Sequence, residues 1–126
     1  MHRSHRLRKN EEFQIVFQQG TSSANRQFVV YALRKEEQAV FRVGISVSKK
    51  IGNAVTRNRV KRYIREAILS LEQQIDDAYD LVVIARQGTE ELSLDELRSS
   101  LLHVLKRANV LKRGSLPKDK KVERDA

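Results

Sequence analysis

The stretch RVGISVSKKIGNAVTRNRVKRYIRE, residues 42–66, changes its period in the middle. Up to Ser48 the residues alternate. Val43, Ile45 and Val47 point one way, and Arg42, Gly44, Ser46 and Ser48 the other, as in a strand with one face on a core and one small, polar face lining a groove. From about Asn53 the spacing is helical: at ~100° per residue Val60, Ile64, Ala67, Ile68, Leu71 and Ile75 share one stripe, so a helix is predicted from Asn53 to about Gln74.

The charges on that helix run against its dipole. Arg57, Arg59, Lys61 and Arg62 crowd its first turns, with Lys49 and Lys50 just before them. Cations near a helix N-terminus are disfavoured by ~0.3–1 kcal/mol each. The neighbouring helices behave differently. Asn10-Glu11-Glu12 opens one helix, with Asn10 as the capping residue, Phe13, Val16 and Phe17 on one face, and Gly20 at its end. Ser93-Leu94-Asp95-Glu96 is a capping box opening another, which continues through Leu97, Leu101, Val104, Leu105 and Ala108. Both place acids in the first turn, so general basicity does not explain the inverted helix.

Around these lie two further strands. QFVVYALRK (27–35) is rich in β-branched and aromatic residues, and EEQA is expected to join it to the strand after it as a hairpin. YDLVVIAR (79–86) is apolar on both sides, as a central strand covered on both faces would be. From Lys112 the chain is polar, carries its single proline, and reads as a disordered tail, leaving one domain over residues 1–111 and a tail over 112–126.

The 126-residue chain has a net charge of +9, but the distribution says more than the total. Residues 1–10 hold four Arg or Lys and no acid, residues 49–65 hold seven and no acid, and residues 66–105 hold nine acids against Arg86 and Arg98. Segregated charge makes an oriented field, and the usual partners are nucleic acid or an anionic membrane. A membrane surface is disfavoured because the aliphatic stripe beside the cations is needed for the core. A single carboxylate could not offset seven cations; a phosphate backbone could. The absence of cysteine removes thiolate metal sites, disulfides and cysteine nucleophiles. No apolar run approaches a membrane span, so a soluble cytoplasmic protein is expected.

Asn58, Lys61, Arg62 and Arg65 fall together on the face adjoining the stripe, with Arg59 further round. Phe13, Phe17 and Tyr31 are either stacking faces for unpaired bases or core aromatics. His2 and His5 sit in an unstructured segment, His103 on a helix surface, and Asp76, Asp77 and Asp80 at a helix-to-strand connection where Asp is ordinary turn chemistry. No metal site, bound cofactor or catalytic residue is expected of the protein itself.

SKKIGNAVTRNRVKRYIRE resembles the protein subunit of bacterial ribonuclease P, whose mark is an Arg-Asn-Arg motif in a basic helix, here Arg57-Asn58-Arg59. Arg6-Leu7 followed by Phe13, Val16, Phe17 and Gly20 is similar to the family's opening. ANRQFVVYAL, RVGISVSKK and YDLVVIAR are similar to its strands, in order from residue 6 to about 110. The resemblance implies an α/β (α+β) two-layer sandwich, a mixed sheet of about four strands with three helices. It is similar to a domain of ribosomal proteins, with a left-handed βαβ crossover where the right-handed one is the general rule.

It also implies that an RNA subunit, using Mg²⁺, cleaves the 5′ leader from precursor tRNA while the protein, a monomer in a 1:1 complex with the RNA, binds both RNAs. Lys49, Lys50, Asn53, Arg57, Asn58, Arg59, Lys61, Arg62, Arg65 and Arg86 would contact RNA. Phe13, Phe17, Val29, Tyr31, Arg42, Ser46 and Ser48 would line a groove for the leader. Gln87 stands where many relatives carry a second basic residue. A ribosomal or other structural RNA-binding protein would share the charge pattern and is the alternative reading.

Overall fold

The computed structural model describes residues 5–112; His2 and the tail beyond Lys112 lie outside the described residues. Three helices and four strands follow one another as α1 (Asn10–Gln19), β1 (Thr21–Ala24), β2 (Phe28–Arg34), β3 (Arg42–Ser46), α2 (Ala54–Ser70), β4 (Tyr79–Ala85) and α3 (Leu94–Ala108). This is the α+β arrangement expected, a four-stranded mixed sheet with three helices.

The sheet runs in the order β1-β2-β4-β3. β4 is antiparallel to β2 and parallel to β3, so β3–α2–β4 is a parallel crossover. The expected β2–β3 hairpin is therefore wrong. β4, largely apolar and buried on both faces, takes the place between them, because a central position hides more of it than a hairpin of its neighbours would. The hairpin is instead β1–β2. Asn25 fixes its turn by accepting from the backbone N–H of Gln27 and Phe28 at 3.1 and 2.8 Å and donating to the Ser100 carbonyl of α3 at 2.8 Å.

One face of the sheet carries the main core. Phe28, Val30, Val43, Leu81 and Val83 meet the whole predicted stripe of α2, from Val60 to Ile75, and Leu97, Leu101, Val104 and Leu105 of α3, all essentially inaccessible. α1 lies on the opposite face, where Val16, Leu7 and Val82 form a smaller core flanked by Phe13, Phe17, Tyr31 and Ile84.

The expected Ser93–Glu96 box opens α3, and on α2 Asn53 proves to be the cap, its Oδ1 accepting from Thr56 N at 2.9 Å. On α1 the cap position is Lys9, not Asn10, and Glu12 Oε1 reaches back to the N–H groups of Arg8 and Lys9 at 3.0 and 3.1 Å. α2 ends at Ser70 rather than Gln74; Ile75 stays in the core by bridging to Leu111. Lys112 belongs to the fold, its N–H donating to Gln74 O at 2.7 Å.

Candidate nucleic-acid interface

The basic helix begins beside a 3-10 turn at Lys49–Ile51 that Ser48 caps, its Oγ accepting from Lys50 N at 3.3 Å. Lys49, Lys50, Asn53, Asn58 and Arg62 are exposed and Arg57, Arg59, Lys61 and Arg65 half-buried. The arginines are partly fixed by main-chain carbonyls. Arg57 Nε donates to Gly52 O at 3.2 Å and Arg59 Nη2 to Glu90 O at 2.7 Å. Of the seven cations from Lys49 to Arg65, Arg62 alone has an acid within 4 Å among the described residues, Glu66 at 3.7 Å. An exposed pair at that distance is worth little. The cationic face is therefore almost uncompensated, as the sequence distribution implied.

The residues expected to line a groove lie on the face of the sheet that α1 covers. Residues 29 and 31 of β2, 42, 44 and 46 of β3 and 82 and 84 of β4 project toward α1, because strand neighbours alternate faces. Phe17 meets Tyr31 edge to face at 5.0 Å between ring centres. Phe13 lies directly over Gly44, where a Cβ would come within 2.4 Å of its Cζ, so only glycine admits the ring. Phe13, Phe17, Val29, Tyr31, Arg42 and Ser46 thus share one face, all half-buried. Ser48 does not join them; β3 stops at Ser46, and Ser48 caps the turn instead.

Arg42 and Asp80 required tertiary structure to interpret. Asp80 is a buried strand residue rather than a turn residue: its side chain is 2% exposed and takes Arg42 in two hydrogen bonds, Nε to Oδ1 at 3.0 Å and Nη2 to Oδ2 at 2.7 Å. Arg42 Nη1 also donates to Glu12 Oε2 at 2.8 Å. One guanidinium therefore ties α1 to the central strand, and the double bond to Asp80 raises its already high pKa. Glu12 is held at a pKa of about 2, first by the backbone N–H of Arg8, then by that of Lys9 and by Arg42. Asp76 accepts from Ala78 N at 2.9 Å as turn chemistry, and Asp77 faces Lys112 at 3.6 Å. Among the described residues no three His, Asp or Glu side chains gather as metal ligands would.

The structure adds Arg6 and Arg8. The N-terminal segment runs alongside β3, with Arg6 bridged to Val43 and Leu7 N donating to Val43 O at 3.0 Å. This brings Arg6 and Arg8 to Arg65 of α2 around a cleft of about 510 Å³ floored by Leu7, Phe13, Val43 and Ile45. The acid-free basic run of residues 1–10 was the only sequence sign of it. His5, expected in an unstructured segment, is instead buried, its Nδ1 2.8 Å from Phe41 O and its ring 4.2 Å from that of Phe41. His103 is exposed on α3, as expected. Arg86 follows β4 at the end of the sheet where the chain passes from β3 to α2, donating to Asn25 O at 2.9 Å.

Known proteins share this fold. The family model described as Ribonuclease P matches residues 1–109. The ribonuclease P protein component of Brevibacillus brevis is 60% identical over 121 residues, covering 96% of each chain. That of Bacillus cereus is 58% identical over 110 residues, or 87% of this chain and 96% of the relative. The solved RNase P protein of Staphylococcus aureus superposes with a TM-score of 0.80 at 48% identity, over 86% of this chain and 98% of that one. The Thermotoga maritima protein gives 0.74 at 35% identity, over 81% and 96%. Over nearly all of its described length, then, the chain belongs to the ribonuclease P protein family, the protein components of a tRNA-processing ribonuclease.

Proposed function

We propose that this chain binds the ribonuclease P RNA subunit through the cationic face of α2 and holds the single-stranded 5′ leader of precursor tRNA in the groove between α1 and the sheet. The RNA subunit, with Mg²⁺, carries the hydrolysis, and the protein contributes no catalytic group or bound cofactor. The observation that carries this reading is the junction of two surfaces. Arg65 of the almost uncompensated cationic helix and Phe13 of the aromatic face under α1 line one cleft, together with Arg6 and Arg8.

Neutralised phosphates let two polyanions approach, which lowers the Mg²⁺ needed for assembly. Gripping the leader uses binding remote from the scissile bond to position it. Backbone charge and stacking make that grip tolerant of leader sequence. Arg42 enters this reading as the tie that sets α1 against the sheet rather than as a free cation.

The test is precursor-tRNA cleavage by a bacterial ribonuclease P RNA at low Mg²⁺, with and without the protein. The expected result is 5′ cleavage restored by the protein, with the protein alone inert. Failure of a folded protein to rescue a suitable RNA would favour a ribosomal or other structural RNA-binding role. Cleavage without RNA would move the chemistry onto the protein.

A further inference from the structure

The β1–β2 turn, the start of the β4–α3 loop and the entry to α2 all lie at one end of the sheet. Ala24 pairs with Val29, Phe28 with Ala85 and Ser46 with Ile84, so the chain leaves β1, β4 and β3 and enters β2 side by side there. At ~4.8 Å per strand, the distance across that end from β1 to β3 is ~14 Å. A line of hydrogen bonds crosses it. Arg59 Nη2 donates to Glu90 O at 2.7 Å, Gln87 Nε2 to Lys50 O at 3.3 Å, Arg86 Nη1 to Asn25 O at 2.9 Å and Arg107 Nη1 to Ala24 O at 2.8 Å.

Arg86 and Arg107, which are 21 residues apart on different elements, thus aim their guanidinium groups at consecutive carbonyls, with exposed Arg26 next in the same turn. Among the described residues no acid lies within 4 Å of Arg26, Arg86 or Arg107. Of the acids in the β4–α3 loop and the start of α3, Glu90 accepts from Gly88 N at 2.8 Å and Glu96 from Ser93 N at 2.9 Å.

We propose that this is a second RNA-contact surface, in which Arg26, Arg86 and Arg107 continue the cationic face of α2 across the sheet end and hold a further stretch of the RNA subunit's phosphate backbone. The proposal rests on the RNA-binding reading above. Cations in the last turn of α3 suit its dipole, which accounts for Lys106 and Arg107 being there. It does not account for Arg107 being turned onto the hairpin beside Arg86. A guanidinium has five donors, and one bond to a carbonyl leaves the others in a fixed orientation, so little freedom remains to be lost when a phosphate binds. The occupant is RNA because the surface is continuous with α2 through Lys50 and Arg59. Its chemistry, guanidinium and amide rather than aromatic, suits backbone positioning rather than base stacking.

The experiment uses the full chain with the ribonuclease P RNA, and measures the affinity for that RNA against salt, and then the affinity of the reconstituted complex for precursor tRNA. The double variant Arg26→Gln/Arg107→Gln is compared with wild type and with Arg62→Ala on α2. The double variant is expected to bind the RNA subunit about tenfold more weakly, with the log–log salt slope reduced by ~1.5–2, as for two lost phosphate contacts. Precursor binding by the assembled complex stays unchanged. Arg26→Glu, which breaks no hydrogen bond among the described residues, gives a loss in the same direction without touching the fold. Wild-type affinity and slope in both variants, with Arg62→Ala weakened, would overturn the second surface and leave the first standing. Loss confined to precursor binding would also overturn it. Absence of RNA binding by wild type itself would overturn both readings.

Discussion

Arg42 is the residue whose role the structure changes most, and Arg42→Ala tests the change. Asp80 is 2% exposed and holds Arg42 through two short hydrogen bonds, at 2.7 and 3.0 Å. Removing the arginine leaves a buried carboxylate. Lys35, at 3.7 Å and 39% exposed, is the one cation remaining within 4 Å among the described residues. Breaking a buried pair from one side costs about 3–5 kcal/mol. With Lys35 as partial compensation, the expected loss is at the lower end, ~3 kcal/mol. At an m-value of roughly 2 kcal/mol per molar urea, the midpoint falls by ~1.5 M in equilibrium denaturation. Adding Asp80→Asn should return part of the loss, because the uncompensated charge is then gone, and the cycle isolates the pair. A loss below ~1 kcal/mol for Arg42→Ala, with leader affinity reduced, would refute the reasoning. Arg42 would then be a groove cation and not a structural tie.

Glu12 gives a prediction in pH. Its carboxyl, 28% exposed, is held at about 2 in the folded chain against an ordinary 4.5, so its stabilisation is fully present above ~4.5 and is lost as pH falls through about 2. Solvent screening limits the stabilisation to about 1–2 kcal/mol. The stability difference between wild type and Glu12→Gln should hold from pH 7 to 5 and shrink below 4.5; a difference constant to pH 2 would assign it to packing. Gly44→Ala places a methyl group 2.4 Å from Phe13 Cζ. It should cost ~1–3 kcal/mol and displace the ring, lowering affinity for leader-bearing precursor more than for mature tRNA. An unchanged ratio of the two affinities would remove Phe13 from the leader's path. Cations at the start of α2 oppose the helix dipole, so amide exchange at residues 53–60 should slow when RNA or multivalent anions are added; rates unaltered by RNA would show that the helix start is already secure.

Local signals carried the helices and much of the site. A period of 3.6, a capping box at Ser93 and an inverted charge order on α2 are properties of contiguous residues, and each survives in the structure because helix contacts are short-range. The alternation of β3 likewise placed Arg42, Gly44 and Ser46 on one face before any partner was known. What the sequence did not determine is what lies across from what. β1, with TSSA, has no apolar signal and is recognisable only by its pairing with β2. β4 comes between β2 and β3 because burying it on both sides is a property of the whole sheet, and that displaced the expected hairpin. The same long-range pairing sets Asp80 opposite Arg42, brings Arg6 and Arg8 to Arg65, and aligns Arg86 with Arg107. Periodicity states which way a side chain points; only the packed sheet, through burial shared by distant segments, decides what it meets there.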